Sequence, residues 1–322
     1  MASLAVANTY DRVGIREDLT DAIYNISPTD TPFVSSIGKT KATQTKHEWQ
    51  TDSLAAASDS KVEQGRVAPG TAAAATVRIY NECQINAKDV SVSGTDAVVN
   101  NAGRKSEMAY QLAKRGKELK LDMELQCVAV PNVRVTGSSG TAAEISNIYA
   151  YIADNGSIGT AGSTSTAGAG TGVGVATVTG NDRAFAEALL TDAIQDVWVD
   201  GGHPQVVMLS AVNKALLTAF VGRSAAASTN TDAHTKKIMN AVDIYVSDYG
   251  DMAVVPNRLI PTGANGNVLV LDPSTWAIAF LRPFKTFDLA VTGDATSKEL
   301  LVEWTLEGRA KDGNARIQDL TT

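Results

Sequence analysis

Cysteine and histidine are scarce in this chain, with two of the first and three of the second in 322 residues. That scarcity removes most thiol and metal chemistry. Cys83 falls in an expected strand and Cys127 on the apolar stripe of an expected helix, neither near a CxxC or a ligand spacing, so both read as buried free thiols. His47, His203 and His234 sit in a strand, before a proline and in a polar loop, none with a second ligand at metal spacing. They read as surface or structural. Basic charge is also short: 28 Lys and Arg against 35 Asp and Glu leave a formal net charge of −7. A protein whose task is gripping a phosphate backbone needs clustered cations, which are missing. No apolar run approaches the roughly 18 residues of a membrane span. The start, MASLAVANTYDR, has no basic n-region or apolar core, so no secretory signal and cytoplasmic synthesis are expected.

Motifs of catalysis fail one by one. Gly38-Lys39-Thr40 has the ending of a phosphate-binding loop, but Phe33 stands where that loop needs glycine. The glycines at 168, 170, 172 and 174 are evenly spaced, with Val173 in place of the third dinucleotide-motif glycine, and read as a flexible loop. Gly137-Ser138-Ser139-Gly140 lacks nucleophile-elbow spacing, and no pair of carboxylates stands beside an acid or nucleophile. No enzyme, catalytic residue, metal or cofactor is expected.

What is present is a globular composition, 44% hydrophobic and 20% charged, long enough for one large or two medium domains. Its centre is the stretch Asp96 to Val130. Val98, Ala102, Ala109, Leu112, Gly116, Leu119, Met123, Cys127 and Val130 recur three or four apart, one face of a helix. Thr95 or Asp96 is placed to cap it and Pro131 to stop it. One unbroken helix there would reach about 50 Å. Arg104, Glu107, Lys114, Arg115, Glu118, Asp122 and Glu124 are assigned to the other, solvated face, with Lys114 and Glu118 set for a pair one turn apart.

Before this helix the chain lacks apolar residues for a core of its own. Residues 1 to 14 read as an arm, Ile15 to Ile26 as a short amphipathic helix ended by Ser27-Pro28, and SPTDTPFVSSIG as extended or turned. Alternation at Thr45 to Asp52 and again at Val77 to Ala87 predicts a two-stranded hairpin whose tip, Leu54 to Ala75, is rich in Ala, Ser and Gly. Such a ribbon is marginal alone, so it must lie on something, and another subunit is one possibility. After the helix come a short run at Val133 and Val135, a helical patch at Glu144 to Asp154, and a low-complexity stretch, Gly156 to Gly180. An α/β region follows: helices Arg183 to Val199 and Ala211 to Val221, and strands at Val206 to Leu209, Asp243 to Ser247, Met252 to Val255 and Val268 to Asp272. Strands through Trp276 to Leu281 and Leu300 to Glu307 close the chain, with a turn at Gly293-Asp294. Trp49, Trp198, Trp276 and Trp304 are expected in the core.

The segment REDLTDAIYNISPTDTPFVSSIGKTKATQTKHEWQTDSL, Arg16 to Leu54, resembles the N-terminal signature of a family of major head proteins of tailed bacteriophages. DPSTWAIAFLRPFKTFDLA, Asp272 to Ala290, is similar to that family's C-terminal part. The resemblance implies an α+β chain with the Hong Kong 97-type capsid fold, divided into an N-terminal arm (1–43), an extended loop (44–93), a peripheral domain with the spine helix and glycine-rich loop (94–180), an axial domain (181–262) and a C-terminal β part of the peripheral domain (263–322).

The implied function is structural: hexamers and pentamers of many copies, forming an icosahedral virion shell around DNA that is not bound specifically. Scaffolding and portal proteins, and a decoration protein, are the implied partners, with no membrane. Lys61, Glu63 and Arg66 at the loop tip and Asp18, Tyr24 and Phe33 in the arm are the expected inter-subunit contacts. An isopeptide crosslink through Lys61, as some relatives of this fold make, would be dismissed by an intact monomer band in denaturing gels. The alternatives are a bacterial encapsulin-type nanocompartment shell, which shares the fold, and a surface adhesin, which would want the missing signal.

Overall fold

A computed structural model describes residues 27–68, 70, 72–73, 75–99, 106–129, 132–152, 154–162, 179–220, 243–262, 266–291 and 293–321. The expected helix Ile15 to Ile26 lies outside these.

The spine is shorter than the apolar stripe implied. Helix α2 covers Gly94–Val98 and helix α3 covers Glu107–Val128. Val99 after the first and Ser106 before the second are both extended, so the two are separate helices. Ser93 caps α2, accepting from the amide of Asp96, and Ser106 caps α3, accepting from that of Ala109. The caps are therefore serines, not Thr95 or Asp96. With 22 residues, α3 is about 33 Å long. Val130 and Pro131 lie outside the described residues.

The chain before the spine begins with α1 (Pro32–Ser36) and β1 (Gly38–Lys41). The proline that suggested an extended chain is the first helical residue, where its missing N–H costs nothing. Strands β2 (Lys46–Thr51) and β3 (Val77–Glu82) form the expected ribbon in antiparallel register from Lys46↔Glu82 to Thr51↔Val77. The second alternating run is two strands, because Cys83 leaves the ladder to bond Thr45 O and β4 (Gln84–Ser93) joins another sheet.

After α3 come α4 (Ile148–Tyr151), β5 (Gly156–Ser157), β6 (Arg183–Ala184), α5 (Glu187–Val199), β7 (Val206–Leu209) and α6 (Ala211–Thr218). Strands β8 (Ile244–Ser247), β9 (Gly250–Pro256), β10 (Gly266–Leu271), β11 (Trp276–Asp288), β12 (Ala295–Gly308) and β13 (Ala315–Thr321) complete the chain.

One sheet has the order β1-β11-β12-β4, with β1 parallel to β11 and the rest antiparallel. Helix α3 lies across it, with Gly116 beside Leu300. The larger sheet runs β5-β13-β10-β7-β9-β8, with β6 also on β13. Its strands alternate between two cores, as a pleat with both faces covered must. Met208, Leu269 and Leu271 face the core built with α3, α4, Trp276 and Trp304. Val207, Leu209, Val268, Val270 and Ile317 face the core under α5 and α6. The larger sheet joins β10, in the segment 263–322, to β7, in the segment 181–262.

Trp276 and Trp304 are buried and Trp49 partly so, but Trp198 is half exposed against Tyr249, contrary to the core expectation. It sits one residue past the apolar face of α5, which is carried by Leu190, Ala193, Ile194 and Val197. Both cysteines are buried and free.

Candidate assembly surface

The arm and the ribbon leave the body at neighbouring points, and aromatic rings join their roots. Phe33 of α1 meets Trp276 edge-on at 6.2 Å between ring centres. Trp276 meets Tyr151 at 6.0 Å, and Tyr151 meets Trp49 of the ribbon at 6.0 Å. Edge-to-face pairs at these distances add to the burial of large apolar area. Trp49 also donates its indole N–H to Gly308 O at 2.9 Å. Phe33, expected between subunits, is 1% exposed within its own chain.

Glu307 is the polar anchor of the same root. Its carboxylate accepts from Thr40 Oγ1 at 3.0 Å and Arg309 Nε at 3.0 Å, and His47 Nε2 lies at 3.4 Å. Burial works against its charge, but the bonds from His47, Arg309 and Thr40 outweigh it and hold the carboxyl down at about 2. A depressed carboxyl stabilises the folded chain above its ordinary value of 4.5 and loses that contribution as pH falls toward about 2. Protection of the 46–51 amides against hydrogen exchange, taken relative to the free-chain rate at each pH, should therefore fall over that window in the native protein. In Glu307→Gln the protection should be low already and respond less to acid. Equal acid responses in the two proteins would remove Glu307 from this role.

On the opposite face of the ribbon, Arg134 lies 3.4 Å from the centre of the Tyr80 ring and donates to Tyr80 O. Asn81, fully buried, donates to Ser146 O and Leu306 O and accepts from the amide of Ser146. The root is therefore tied to the body on both faces.

Past Thr51 the support ends. Every described residue from Asp52 to Thr76 is exposed, including Leu54 at 98% and Val67 at 88%. Lys61 pairs with Asp59 at 2.7 Å, but both side chains are mostly in water, where such a pair contributes little. Glu63 O accepts from the amide of Arg66 across a turn that Gly65 enters with φ +88°. The structure brings Lys61, Glu63 and Arg66 to one tip and sets Phe33 far from it in the body. Asp18 and Tyr24 lie outside the described residues.

Glu107 and Glu124, both expected on the solvated face of the spine, are buried, and Glu124 does the more. It is completely buried and accepts from the amides of Phe33 and Val34 at 2.9 and 2.7 Å and from Asn257 Nδ2 at 2.6 Å. Its burial raises its carboxyl above the ordinary value against the pull of those donors. The signal was there, since Glu124 stands one turn before Val128 and beside Met123, both on the buried side.

The described residues hold no group of three or more His, Cys, Asp or Glu arranged for a metal. Burial pushes the Cys83 thiol up to about 12, which leaves it un-nucleophilic at neutral pH.

A spine helix across a sheet, a second sheet with its own helices, an arm and a long unsupported ribbon together define the Hong Kong 97-type capsid fold. The chain belongs to the SU10 major capsid protein family, whose model matches residues 5–321. It is 27% identical to the major capsid protein of Escherichia phage Phieco32, over 91% of each chain. Its fold is that of the cyanophage A-1(L) capsid protein (TM-score 0.64, 14% identity, 96% of this chain and 98% of that one). The SrpI encapsulin of Synechococcus elongatus PCC 7942 is similar too (TM-score 0.58, 11% identity, 99% and 97%). The protein is thus a phage major capsid protein, of a structural family and not an enzyme family.

Proposed function

We propose that copies of this chain form hexamers and pentamers of an icosahedral head that encloses double-stranded DNA. The observation that carries the reading is the loop from Asp52 to Thr76, whose described apolar residues are all exposed in their own chain. Assembly supplies their burial, as each loop lies on a neighbour. Lys61, Glu63 and Arg66 are the loop-tip contacts in this proposal, and Asp18 and Tyr24 belong to the arm's. The five-part division into arm, extended loop, two peripheral segments and axial domain is retained as a functional division, with the larger sheet bridging axial and peripheral parts.

A net charge of −7 suits a shell whose DNA must slide during packaging. Synthesis in the host cytoplasm, scaffolding and portal proteins, and a decoration protein complete the proposal. The encapsulin reading shares the fold and has less support, because family and curated relative are both phage capsid proteins. Particles purified from infected cells and treated with nuclease should retain protected DNA of genome length. Particles holding a defined protein cargo and no protected DNA would favour the nanocompartment.

A further inference from the structure

Glu124 does for α1 what the residue before that helix fails to do. The first amides of a helix have no partner within it. The N-cap residue here, Thr31, makes no capping bond, and its hydroxyl lies instead against Ser35 Oγ. The amides of Phe33 and Val34 are satisfied by the Glu124 carboxylate, about 90 positions along the chain. A fully buried carboxylate is costly to hold unless its charge is used in strong hydrogen bonds.

The third donor comes from a different part of the fold. Asn257 follows the last residue of β9, and its own amide bonds Leu209 O at the end of β7. Its side chain donates to Glu124 and accepts from the amide of Leu259. One carboxylate thus touches the arm root, the spine and the end of the larger sheet.

We propose that Glu124 is a clasp coupling the seat of the N-terminal arm to the position of the seven-stranded sheet, so that displacing the end of β9 from the spine releases α1. Its consequence for shell formation rests on the capsid reading above; the clasp itself does not. Glu124 and Asn257 are positioning residues.

The test is a suppressor cycle read on the unassembled protein by hydrogen exchange of the Phe33 and Val34 amides. Asn257→Asp sets a second carboxylate against Glu124 and should speed that exchange by about tenfold or more. Glu124→Gln alone can still accept from two donors and should speed it less. Adding Glu124→Gln to Asn257→Asp puts the new amide nitrogen in the place of Oε1, where it donates to the aspartate at the expense of Phe33, and keeps an oxygen in the place of Oε2, so the exchange of the Val34 amide should slow again. The amides of β10 report the fold and should stay slow in all three.

Failure of the second change to slow the exchange, or an Asn257→Asp protein that exchanges like the native one, would overturn the clasp. Fast exchange in β10 as well would overturn its confinement to the arm. Closed shells should become scarcer in Asn257→Asp and recover in the double variant. A native protein that never assembles but passes the exchange test would sink the capsid reading and leave the clasp standing.

Discussion

Replacing Trp276 with alanine is expected to cost about 3–5 kcal/mol of folding stability, the range for emptying a large buried aromatic site. The indole is 1% exposed and packs against Phe33 and Tyr151. Its N–H donates to Asn314 Oδ1 at 2.9 Å. Gly308 comes so close that a Cβ there would lie 2.9 Å from the ring. Neighbours held on three sides by α1, α4 and β12 cannot collapse into the space, so the cavity stays. The loss should be accompanied by faster exchange at the arm root, because Phe33 loses its main partner. Denaturant unfolding of the unassembled protein gives the number. A loss below about 1 kcal/mol would mean that the site relaxes and that the aromatic row is not a keystone.

The second large effect separates assembly from folding. Excising residues 52–76 and closing the ribbon with Asn-Gly should abolish closed shells while leaving the stability of the single chain nearly unchanged. Thr51 and Val77 are paired in register, so a two-residue turn can join them. The described residues removed are all exposed, and the bond lost with them from Thr76 to Gln50 is itself in water. An excised protein that still closes shells would show that the loop is dispensable, and one that fails to fold would show that it is supported from within.

The elements that carry the fold were legible wherever periodicity was clean. The alternation from Thr45 to Thr51 places His47, Trp49 and Thr51 on the half-buried side, as in β2. Strands β7, β9 and β10 and helix α5 fall close to where their apolar patterns put them. The spine misled because the apolar spacing runs on through Val98, which is 86% exposed in the short helix α2. Val99 and Ser106 are both extended, which ends the one helix before the other begins.

Strand β13 was missed for the opposite reason. Its sequence ARIQDLT alternates only from Ala315 to Gln318 before Asp319, at φ +57°, breaks the pattern, and Arg316, Gln318 and Asp319 are all buried despite their polarity. Their places are set by tertiary bonds, Arg316 to Tyr149 O and Asp319 to the amides of Gly159 and Gly180. Of the candidate site, the exposed loop tip was readable because composition marks it. The roots were not, since Glu124 and Glu307 act on partners far along the chain.

The central claim is that the loop, and the arm with it, bury their surface on other copies. The most direct measurement is the mass of the purified protein by light scattering, paired with negative-stain microscopy, with and without a scaffolding protein. Rings, tubes or closed shells of many copies are expected. A monodisperse species of 33.7 kDa under every condition would contradict the account.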